Sequence, residues 1–510
     1  MLVAAITGGV AAQEVVAPYE KDASCVAANE IDTHVLAALK KKGIKPANVC
    51  SDEVFLRRAY LDATGTLPTP WNVQEFMKDT RPDKRARVID ALLEREEFAE
   101  YQAMKWCDVL RVKSEFPINL WPNAAEAYHR WIYDAFRKNM PYDKFARELL
   151  TASGSNFRDP QANFYRAAGS RDPQGLAAAV ALTFMGTRID KWPDAKRADM
   201  VAFFSRVRYK ATAEWKEEIV YCDSTGPDTA FHLPDGKKVT VKSGDDPRKA
   251  FADWLTAKDK RWFGKNCVNR IWASLMGRGI ISEVDDIRDD NPPSNPALLA
   301  YLEKELVASH YDLRHVFRLI LNSRTYQQSS IPRDSREEAE AMFAYYPVRR
   351  LEAEVLIDAL CQITGVYEEY SSQTPEPYTF IPDRQPAVAL ADGSITSEFL
   401  EMFGRPPRDT GFVAERNNDF TDAQRLHLLN STHIRKKIES DSVLQMIPLL
   451  ARGDRRETIR LLYLNILSRY PTPSELQTAE SYYGGGLSLT QASNDLAWAL
   501  VNTKEFLYRH

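Results

Sequence analysis

Apolar residues recur along most of the chain at the spacing of one face of an α-helix. Ile31, Val35 and Leu39 form such a face, and Gly43 follows it as a helix stop. Pro70 lies where a proline would occupy the first turn of a later helix. The same spacing predicts further helices at about 174–185, 194–206, 248–257, 262–276, 296–308, 313–321, 349–364, 421–438, 455–468, 473–483 and 490–504. We therefore predict a mainly α-helical protein.

Strand-like alternation is strongest in one region, residues 217–243. Ile219 and Tyr221 alternate with polar residues, and so do Val239 and Val241 after a Pro-Asp-Gly turn sequence. We predict that this region forms a small β-hairpin insert. The insert would divide the chain into two helical halves, over residues 29–206 and 248–510.

Residues 367–397 carry neither helical nor strand periodicity. The segment contains several prolines, which cannot donate a backbone hydrogen bond to a helix or a sheet. We predict that it forms a long ordered loop or an excursion on the surface.

The two ends of the chain carry related helical units. Tyr-Leu-Asp at 60–62 precedes Pro-Thr-Pro at 68–70, and Tyr-Leu-Asn at 463–465 precedes Pro-Thr-Pro at 471–473 at the same separation. A Glu-Phe pair closes each unit. We expect each unit to form a helix, a turn, a helix that begins with proline, and a final helix whose Phe packs back. Two copies are too few for a solenoid.

Composition and charge are those of an ordinary soluble globular protein. Of 510 residues, 44% are hydrophobic and 27% are charged, which is enough for two or three domains. A net charge of −4 gives no general reason to expect binding to nucleic acid or to an anionic membrane. No apolar run approaches the roughly 20 residues that span a bilayer, so we expect no transmembrane segment.

Residues 1–13, MLVAAITGGVAAQ, are uncharged, apolar and rich in small side chains. They resemble the apolar core and cleavage site of a secretory signal without its basic first segment, which a start codon assigned too far downstream would explain. We expect them to be a signal-peptide remnant and the protein to be exported to the periplasm or cell surface. The alternative is a disordered or weakly helical N-terminus of a cytosolic protein.

The six cysteines lack the spacings of a zinc finger, a Cys-x-x-Cys pair or a haem attachment site. Cys25 and Cys50 bracket one short helix and could close a disulfide in an oxidising compartment. A loop of that size would stabilise the fold by about 3 kcal/mol in the chain-entropy model. Cys107, Cys267 and Cys361 lie in apolar helical patterns, so we expect inert core thiols.

The densest charged motif is residues 266–296, where an amphipathic helix leads through Gly-Arg-Gly into a loop rich in Asp, Arg and Pro. Asp285, Asp286 and Asp289 carry the carboxylate oxygens that Ca²⁺ prefers, although their spacing is not that of an EF-hand. Neighbouring arginines such as Arg278 offer the alternative of salt bridges that hold the loop. We favour the salt-bridged loop over a weak calcium site.

Asp285 and Asp286 could also act as the acid and base of a glycoside hydrolase. That chemistry needs two carboxyl groups on either side of the scissile bond, at a separation that the sequence does not give. Trp262, Trp272 and Tyr326 could supply surfaces for stacking a sugar. Trp272, at helical spacing, is more often part of a core.

His129 is the remaining candidate for catalysis. It lies in Tyr-His-Arg-Trp at 128–131, shortly after an unusual loop at 116–123 that contains Trp and Pro. The sequence has no His-Glu-x-x-His, no Gly-x-Ser-x-Gly and no P-loop, which argues against the enzyme classes that these motifs mark. A hydrogen-bonded histidine in the core or in a groove is the interpretation that we favour.

Arginines dominate the candidate binding residues, because a guanidinium donates paired hydrogen bonds to carboxylate or sulfate. The binding candidates are Arg278, Arg349, Arg350, Arg405, Arg416, Asn269 and Trp272. Such arginines could bind an acidic polysaccharide. Glu352 and Glu354 lie beside two of them, so an Arg–Glu network that links the second half is an equal alternative.

Several motifs in fixed order resemble a known pair of domains. In the first half they are Phe-Leu-Arg-Arg-Ala-Tyr-Leu-Asp at 55–62, Leu-Pro-Thr-Pro at 67–70 and Met-Pro-Tyr-Asp-Lys-Phe at 140–145. In the second half they are Asn-Arg-Ile-Trp at 269–272, Gly-Arg-Gly at 277–279, Asn-Pro-Pro-Ser at 291–294, Ser-Arg-Thr-Tyr-Gln at 323–327 and Leu-His-Leu-Leu-Asn at 426–430. They resemble domain of unknown function 1549 followed by domain of unknown function 1553, known from exported proteins of planctomycetes and verrucomicrobia.

The resemblance implies an exported protein without an established reaction, in a family whose members often carry a cytochrome-c-like domain. This chain departs from many relatives at two thiol motifs. In place of Cys-x-x-Cys-His it has Phe-Met-Gly-Thr-Arg-Ile-Asp at 184–190, and in place of Cys-x-Cys-Glu-Arg it has Phe-Val-Ala-Glu-Arg at 412–416. Covalent haem needs two Cys and an axial His, so we predict no haem c and no other cofactor.

These observations favour a binding or assembly protein of the periplasm or cell surface. Its partner would be an acidic polysaccharide or another exported protein, and we expect no nucleic acid. The first alternative is a hydrolase or other enzyme that acts on complex, sulfated polysaccharide through Asp285 and Asp286. A second alternative, an electron-transfer partner without its own haem, is weakened by the missing thiols.

Overall fold

The computed structural model describes residues 15–510, apart from residues 22, 24, 258–261 and 441–442. Of the residues, 52% lie in helices and 6% in strands, which confirms the predicted mainly α-helical class. The predicted signal-peptide remnant, residues 1–13, lies outside the described residues. No helix within these described ranges is both long and apolar enough to cross a membrane.

The helices of the first half begin close to the predicted positions. They are α1 (Glu30–Lys42), α2 (Asp52–Thr64), α3 (Pro70–Lys78), α4 (Lys84–Leu93), α5 (Glu96–Val109), α6 (Pro122–Arg137), α7 (Tyr142–Leu150), α8 (Asn163–Arg166), α9 (Pro173–Val180) and α10 (Asp194–Ala202). Asn29 caps α1 with a reciprocal capping box, and Gly43 ends it in the left-handed region at φ 63°. A π-helical turn over Ala181–Met185 extends α9.

The helices of the second half follow the strand-rich insert. They are α11 (Pro247–Leu255), α12 (Phe263–Met276), α13 (Pro296–Ala308), α14 (Leu313–Leu321), α15 (Glu337–Ala341), α16 (Ala353–Thr364), α17 (Glu398–Met402), α18 (Asp422–Asn430), α19 (Thr432–Glu439), α20 (Val443–Leu450), α21 (Arg455–Leu467), α22 (Pro473–Tyr483), α23 (Leu489–Val501) and α24 (Lys504–Leu507). Pro247, Pro296 and Pro473 each occupy the first turn of a helix, where the missing N–H breaks no hydrogen bond.

Two hairpins form in and just before the insert instead of the single hairpin predicted, and a short strand between α7 and α8 in sequence pairs with one of them. The strands are β1 (Gly154–Ser155), β2 (Val207–Ala211), β3 (Glu218–Cys222), β4 (Thr229–His232) and β5 (Lys238–Val241). β3 pairs antiparallel with β2 on one edge and with β1 on the other, while β4 pairs with β5 across the predicted Pro-Asp-Gly turn. Ile219 lies opposite Lys210, so the alternating segment pairs with a preceding strand and not with Val239.

The two related units at the ends of the chain have matching local geometry. α2 ends at Gly65 and α21 at Ser468, and both residues are left-handed, with φ of 65° and 60°. Thr69 and Thr472 then cap α3 and α22 with capping boxes. Two further helices complete each unit, α4 and α5 in the first and α23 and α24 in the second. The predicted relationship between the two ends is confirmed.

Two buried apolar clusters fill the interior. The first contains side chains from Ile31 to Tyr346 and includes those of α11 to α14, which follow the insert in sequence. The second runs from Leu351 to Leu507. It also takes in Leu61 and Tyr101 of α2 and α5, so these two helices contribute to both clusters. A short pairing of β6 (Arg349–Arg350) with β7 (Tyr508–Arg509) lies where the clusters meet.

Cys25 and Cys50, which could close a disulfide in an oxidising compartment, are both buried and are not linked to each other in this structure. The chain near residue 328 lies against both of them. Gln328 Nε2 is 3.6 Å from the Cys25 sulfur, and the Cys50 N–H donates to the carbonyl of Gln327 at 2.9 Å. Hydrogen bonds to one distant segment thus hold these two positions.

Candidate functional site

Asp285, a candidate for both catalysis and metal binding, holds two segments of the protein together. Its Oδ1 lies 2.5 Å from Nη2 of Arg270 on α12, and its Oδ2 accepts a hydrogen bond of 2.7 Å from the backbone N–H of Val413. Arg270 also donates to the carbonyl of Leu182 at 3.0 Å. Asp285 is only 5% exposed. Because both of its oxygens are paired, the Asp285 carboxylate connects Arg270 on α12 to the backbone at Val413. We call these two contacts the Asp285 clamp.

Asp286 and Asp289 lie in the loop beside this clamp. Arg288 Nε is 3.0 Å from Asp286 Oδ1, and Arg288 Nη1 is 3.2 Å from Asp290 Oδ2. No group of three or more His, Cys, Asp or Glu side chains in the described ranges is placed to hold a metal ion. The geometry therefore matches the salt-bridged loop and gives the calcium site no support.

The binding candidates on and after α12 have different surroundings. Asn269 is fully buried, and its side chain exchanges hydrogen bonds of 2.9 and 3.1 Å with the backbone of Ile281. Trp272 and Tyr326, which could have stacked a sugar, are also fully buried. Arg278 is exposed at the turn that follows the helix. Asn269 and Trp272 are therefore placed as core residues, which leaves Arg278 as the surface residue of this group.

The segments at residues 184–190 and 412–416 come together next to Asp285. Gly186 accepts a hydrogen bond of 2.7 Å from the N–H of Ile287. The Arg188 guanidinium lies 4.8 Å from the centre of the Phe412 ring, next to the N–H that Asp285 binds. A cation–π contact and a carboxylate clamp thus occupy the place where these segments come together.

Arg349 and Arg350 face inward at β6. Arg349 Nη2 lies 3.4 Å from Asp62 Oδ1 and also donates to the carbonyl of Leu275 at 2.8 Å. Arg350 is 2% exposed and donates to three backbone carbonyls in the segment 403–418, at 2.7 to 3.0 Å. These arginines hold backbone segments in place and present no guanidinium fork to a ligand.

Arg405 and Arg416 lie in a group of ion pairs around Glu354. Arg416 is 2.6 Å from Glu354 and 2.7 Å from Asp108 on α5, and Arg405 Nε is 3.5 Å from Glu354. Burial alone would raise the pKa of the Glu354 carboxyl, but Arg416 and Arg405 lower it to about 2. Both arginines are therefore paired with internal carboxylates, as in the alternative of an Arg–Glu network.

Glu352 extends these ion pairs to β7. Arg509 Nη2 lies 2.6 Å from Glu352 Oε2, and Lys105 of α5 pairs with the other oxygen. The Tyr101 hydroxyl donates to that second oxygen at 3.2 Å. Burial would raise the pKa of Glu352, but Arg509 and Lys105 hold it well below its usual value. The network joins the two apolar clusters through α5, α16 and β7.

A groove with a volume of about 1260 Å³ lies between α6 and the loop at 377–395, within the long loop predicted from sequence. His129 lines it. Burial lowers the pKa of the His129 imidazole to about 3, and Arg408 and Arg130 add to this effect, so the ring is neutral near neutral pH. Its Nε2 is buried and has no hydrogen-bond partner among the described residues. His129 is thus the candidate that lies at a surface site.

Three aromatic side chains cluster beside the groove. Ring centres are 4.7 Å apart for Trp121 and Trp215, 5.5 Å for Trp121 and Tyr378, and 5.2 Å for Trp215 and Tyr378. Trp215 is 59% exposed and Tyr378 is 40% exposed. Lys216 Nζ lies 5.0 Å from the centre of the Trp121 ring. Tyr378 also lines the groove, so this aromatic cluster and the groove form one surface.

The backbone of Trp121 has a conformation that bulky residues rarely adopt, with φ 76° and ψ 143°. Hydrogen bonds of the surrounding backbone hold it. The Trp121 N–H donates to Ser114 at 3.2 Å, and its carbonyl accepts from Ala124 and Ala125 at the start of α6. The aromatic cluster was not among the sequence candidates. Trp-Pro at the start of a helix was its only local indication.

Two family models match the chain. Residues 30–208 match the model described as protein of unknown function (DUF1549), and residues 247–483 match the model described as protein of unknown function (DUF1553). No curated protein and no solved structure matches the chain. The two matched regions lie on either side of the strand-rich insert, in the order that the motifs predict. The chain therefore belongs to the family of proteins that join a DUF1549 domain to a DUF1553 domain.

Proposed function

We propose that the protein binds a glycan strand in the groove along α6. The observation that carries this proposal is the aromatic cluster of Trp121, Trp215 and Tyr378, in which Trp215 and Tyr378 are exposed and Tyr378 also lines the groove. Sugar rings present C–H faces that stack on aromatic side chains, and grouped exposed aromatics mark surfaces that a partner covers.

The shape of the groove suits an extended ligand. Its lining runs along α6 from Asn123 to Arg137, a helical length of about 21 Å at 1.5 Å per residue. The loop at 377–395 forms the facing side, where Phe380 is 75% exposed. A site of this length accommodates several linked sugar units, which is why we propose a strand in place of a single sugar.

The other functions considered for the chain have less support. Both oxygens of Asp285 are bound by Arg270 and a backbone N–H, so Asp285 offers no free carboxylate to hydrolase chemistry. Arg350, Arg405 and Arg416 bind internal groups, so they do not form a surface for acidic polysaccharide. Export fits a glycan ligand, and its grounds are the composition of residues 1–13 and the family resemblance.

Native gel electrophoresis through gels that contain single polysaccharides tests the proposal. At least one neutral or basic polysaccharide should retard the protein. Trp215→Ala and Tyr378→Ala should each lower the affinity for that polysaccharide about tenfold, which is the loss expected for one aromatic contact. Trp71→Ala is the matched control, since Trp71 is 66% exposed on α3 and does not line the groove. Equal retardation of all four proteins would contradict the proposal.

A further inference from the structure

We infer that the glycan carries free amino groups and that the groove binds them through the carboxylate of Asp392. This inference rests on the proposed glycan binding and specifies its ligand class as amino sugars whose nitrogen is not acetylated. Three features of the groove carry it: its unpaired charges, the surroundings of Asp392, and the way in which these exclude other ligands.

The unpaired charges along the groove are negative. Two of the carboxylates in its lining are paired within α6, Glu126 with Arg130 at 3.4 Å and Asp134 with Arg137 at 3.5 Å. The remaining carboxylates of the lining are Glu96, Glu100 and Asp392, which form no ion pair with any residue that the structure describes. The remaining arginine, Arg158, is directed to Glu217 outside the groove at 3.8 Å.

Glu96 and Glu100 lie one turn apart on α5, so they are neighbours on one face of the helix. Burial raises the pKa of the Glu100 carboxyl, and the charges of Glu97 and Glu96 raise it further. A bound cation would relieve this repulsion. The pair thus favours a ligand that brings positive charge to the groove.

Asp392 lines the groove as a hydrogen-bond acceptor whose carboxylate is fixed by backbone N–H groups. The residue is 3% exposed, and its Oδ1 accepts hydrogen bonds from the N–H groups of Ser114 at 2.8 Å and Ser394 at 2.9 Å. These two bonds fix the orientation of the carboxylate. Its Oδ2 is buried and has no hydrogen-bond partner in the described part of the chain. A buried carboxylate oxygen without a donor is unfavourable, and a ligand ammonium would satisfy it.

Other charged ligands fit this lining poorly. A sulfated or carboxylated sugar would bring negative charge to three unpaired carboxylates. A metal ion would need several clustered ligands, and no such cluster is present in the ranges described. Ammonium groups on a strand of amino sugars supply a donor for Asp392 and positive charge for Glu96 and Glu100, while a sugar ring stacks on the aromatic cluster.

Isothermal titration with three tetrasaccharides of equal length tests the inference. They are β-1,4-linked glucosamine, its fully N-acetylated form, and β-1,4-linked glucose, each at a pH where the amines are protonated. Glucosamine should bind about tenfold more tightly than the other two, as expected for one charge-assisted hydrogen bond. Asp392→Asn should abolish this preference by weakening the binding of the glucosamine tetrasaccharide about tenfold.

The controls separate the two proposals. Asn at 392 can keep the Oδ1 acceptor, and a melting curve reports whether the variant folds. Asp383→Asn lies in the same loop, is exposed and does not line the groove, so it should retain the preference. Glu100→Gln should also reduce the preference. Equal affinity for the three sugars would overturn this inference and leave glycan binding standing, whereas no binding of any sugar would overturn both.

Discussion

Arg509 and Asp62 form a buried ion pair that joins β7 to α2, with Arg509 Nε 3.0 Å from Asp62 Oδ1 and both side chains 1% exposed. Asp62 also accepts hydrogen bonds from the hydroxyls of Tyr326 at 2.9 Å and Tyr346 at 2.8 Å. Arg509 in turn pairs with Glu352. Residues distant in sequence thus share one network where the two apolar clusters meet.

Replacing Arg509 with Met should destabilise the protein by roughly 3–5 kcal/mol, because the buried carboxylates of Asp62 and Glu352 would each lose one of their cationic partners. Urea unfolding followed by circular dichroism measures this change. Arg435→Ala is the control, since Arg435 forms an exposed pair with Glu439 within α19 and should change stability little. A loss for Arg509→Met as small as that of the control would show that the network is not needed for stability.

Asp285→Asn should destabilise the fold by about 2–3 kcal/mol and leave glycan binding unchanged, because Asp285 clamps Arg270 to the backbone at Val413. Thermal unfolding and gel retardation measure the two properties separately. Asp290→Asn, at an exposed position of the same loop, serves as the control. A stable Asp285→Asn protein that had lost hydrolysis of a glycan would favour the hydrolase alternative instead.

His129 should make the protein less stable as the pH falls. Its folded-state pKa of about 3 lies below the ordinary value of 6.5, so the unfolded chain takes up a proton before the native chain does. The contribution is fully present above about pH 6.5 and is lost between that pH and about 3. Urea unfolding at a series of pH values should give a shallower slope for His129→Gln in this window.

The acid response of Glu354 is separable from that of His129. Its pKa is lowered from 4.5 to about 2, so its contribution is present above 4.5 and is lost as the pH falls toward 2. The slope between pH 6.5 and 4.5 therefore isolates His129 from Glu354. Equal slopes for the wild type and His129→Gln in that interval would contradict the assignment.

Gly404→Ala should destabilise the protein more than Gly236→Ala does. Both glycines have positive φ, 81° and 84°, so the strain of an added Cβ is similar. A Cβ at Gly404 would lie 1.9 Å from the carbonyl oxygen of Asn417, which Arg350 binds, whereas a Cβ at Gly236 meets nothing within 4 Å. We expect an additional loss of about 1–3 kcal/mol in thermal unfolding. Equal losses would show that this contact can relax.

Local patterns in the sequence predicted most of the helices. α13, α14 and α22 have the predicted bounds, because apolar spacing, N-cap residues and first-turn prolines all act within a few residues. The predicted helix at 421–438 is two helices, α18 and α19. The apolar spacing continues across Ser431, so it does not show that one helix ends there and another begins. The Ser431 hydroxyl caps the second helix by accepting a hydrogen bond of 3.3 Å from the N–H of Ile434.

The candidate site depends on contacts that no local pattern records. The aromatic cluster joins the loop before α6, the turn between β2 and β3, and the loop at 377–395, which lie far apart in sequence. Asp285 accepts a hydrogen bond from the backbone N–H of Val413. This donor cannot be predicted from the residue type, because every residue except proline has a backbone N–H. The Arg–Glu alternative was available from sequence because charges of opposite sign lay close together at 349–354.

Hydrogen exchange with and without a saturating glycan tests glycan binding in the groove most directly. We predict that the ligand slows exchange in the segments around Trp121, Trp215 and Tyr378, along the exposed face of α6 and near Asp392, and leaves exchange at residues 283–290 unchanged. Slowed exchange confined to residues 283–290, or no change at any residue with a glycan that retards the protein in gels, would contradict it.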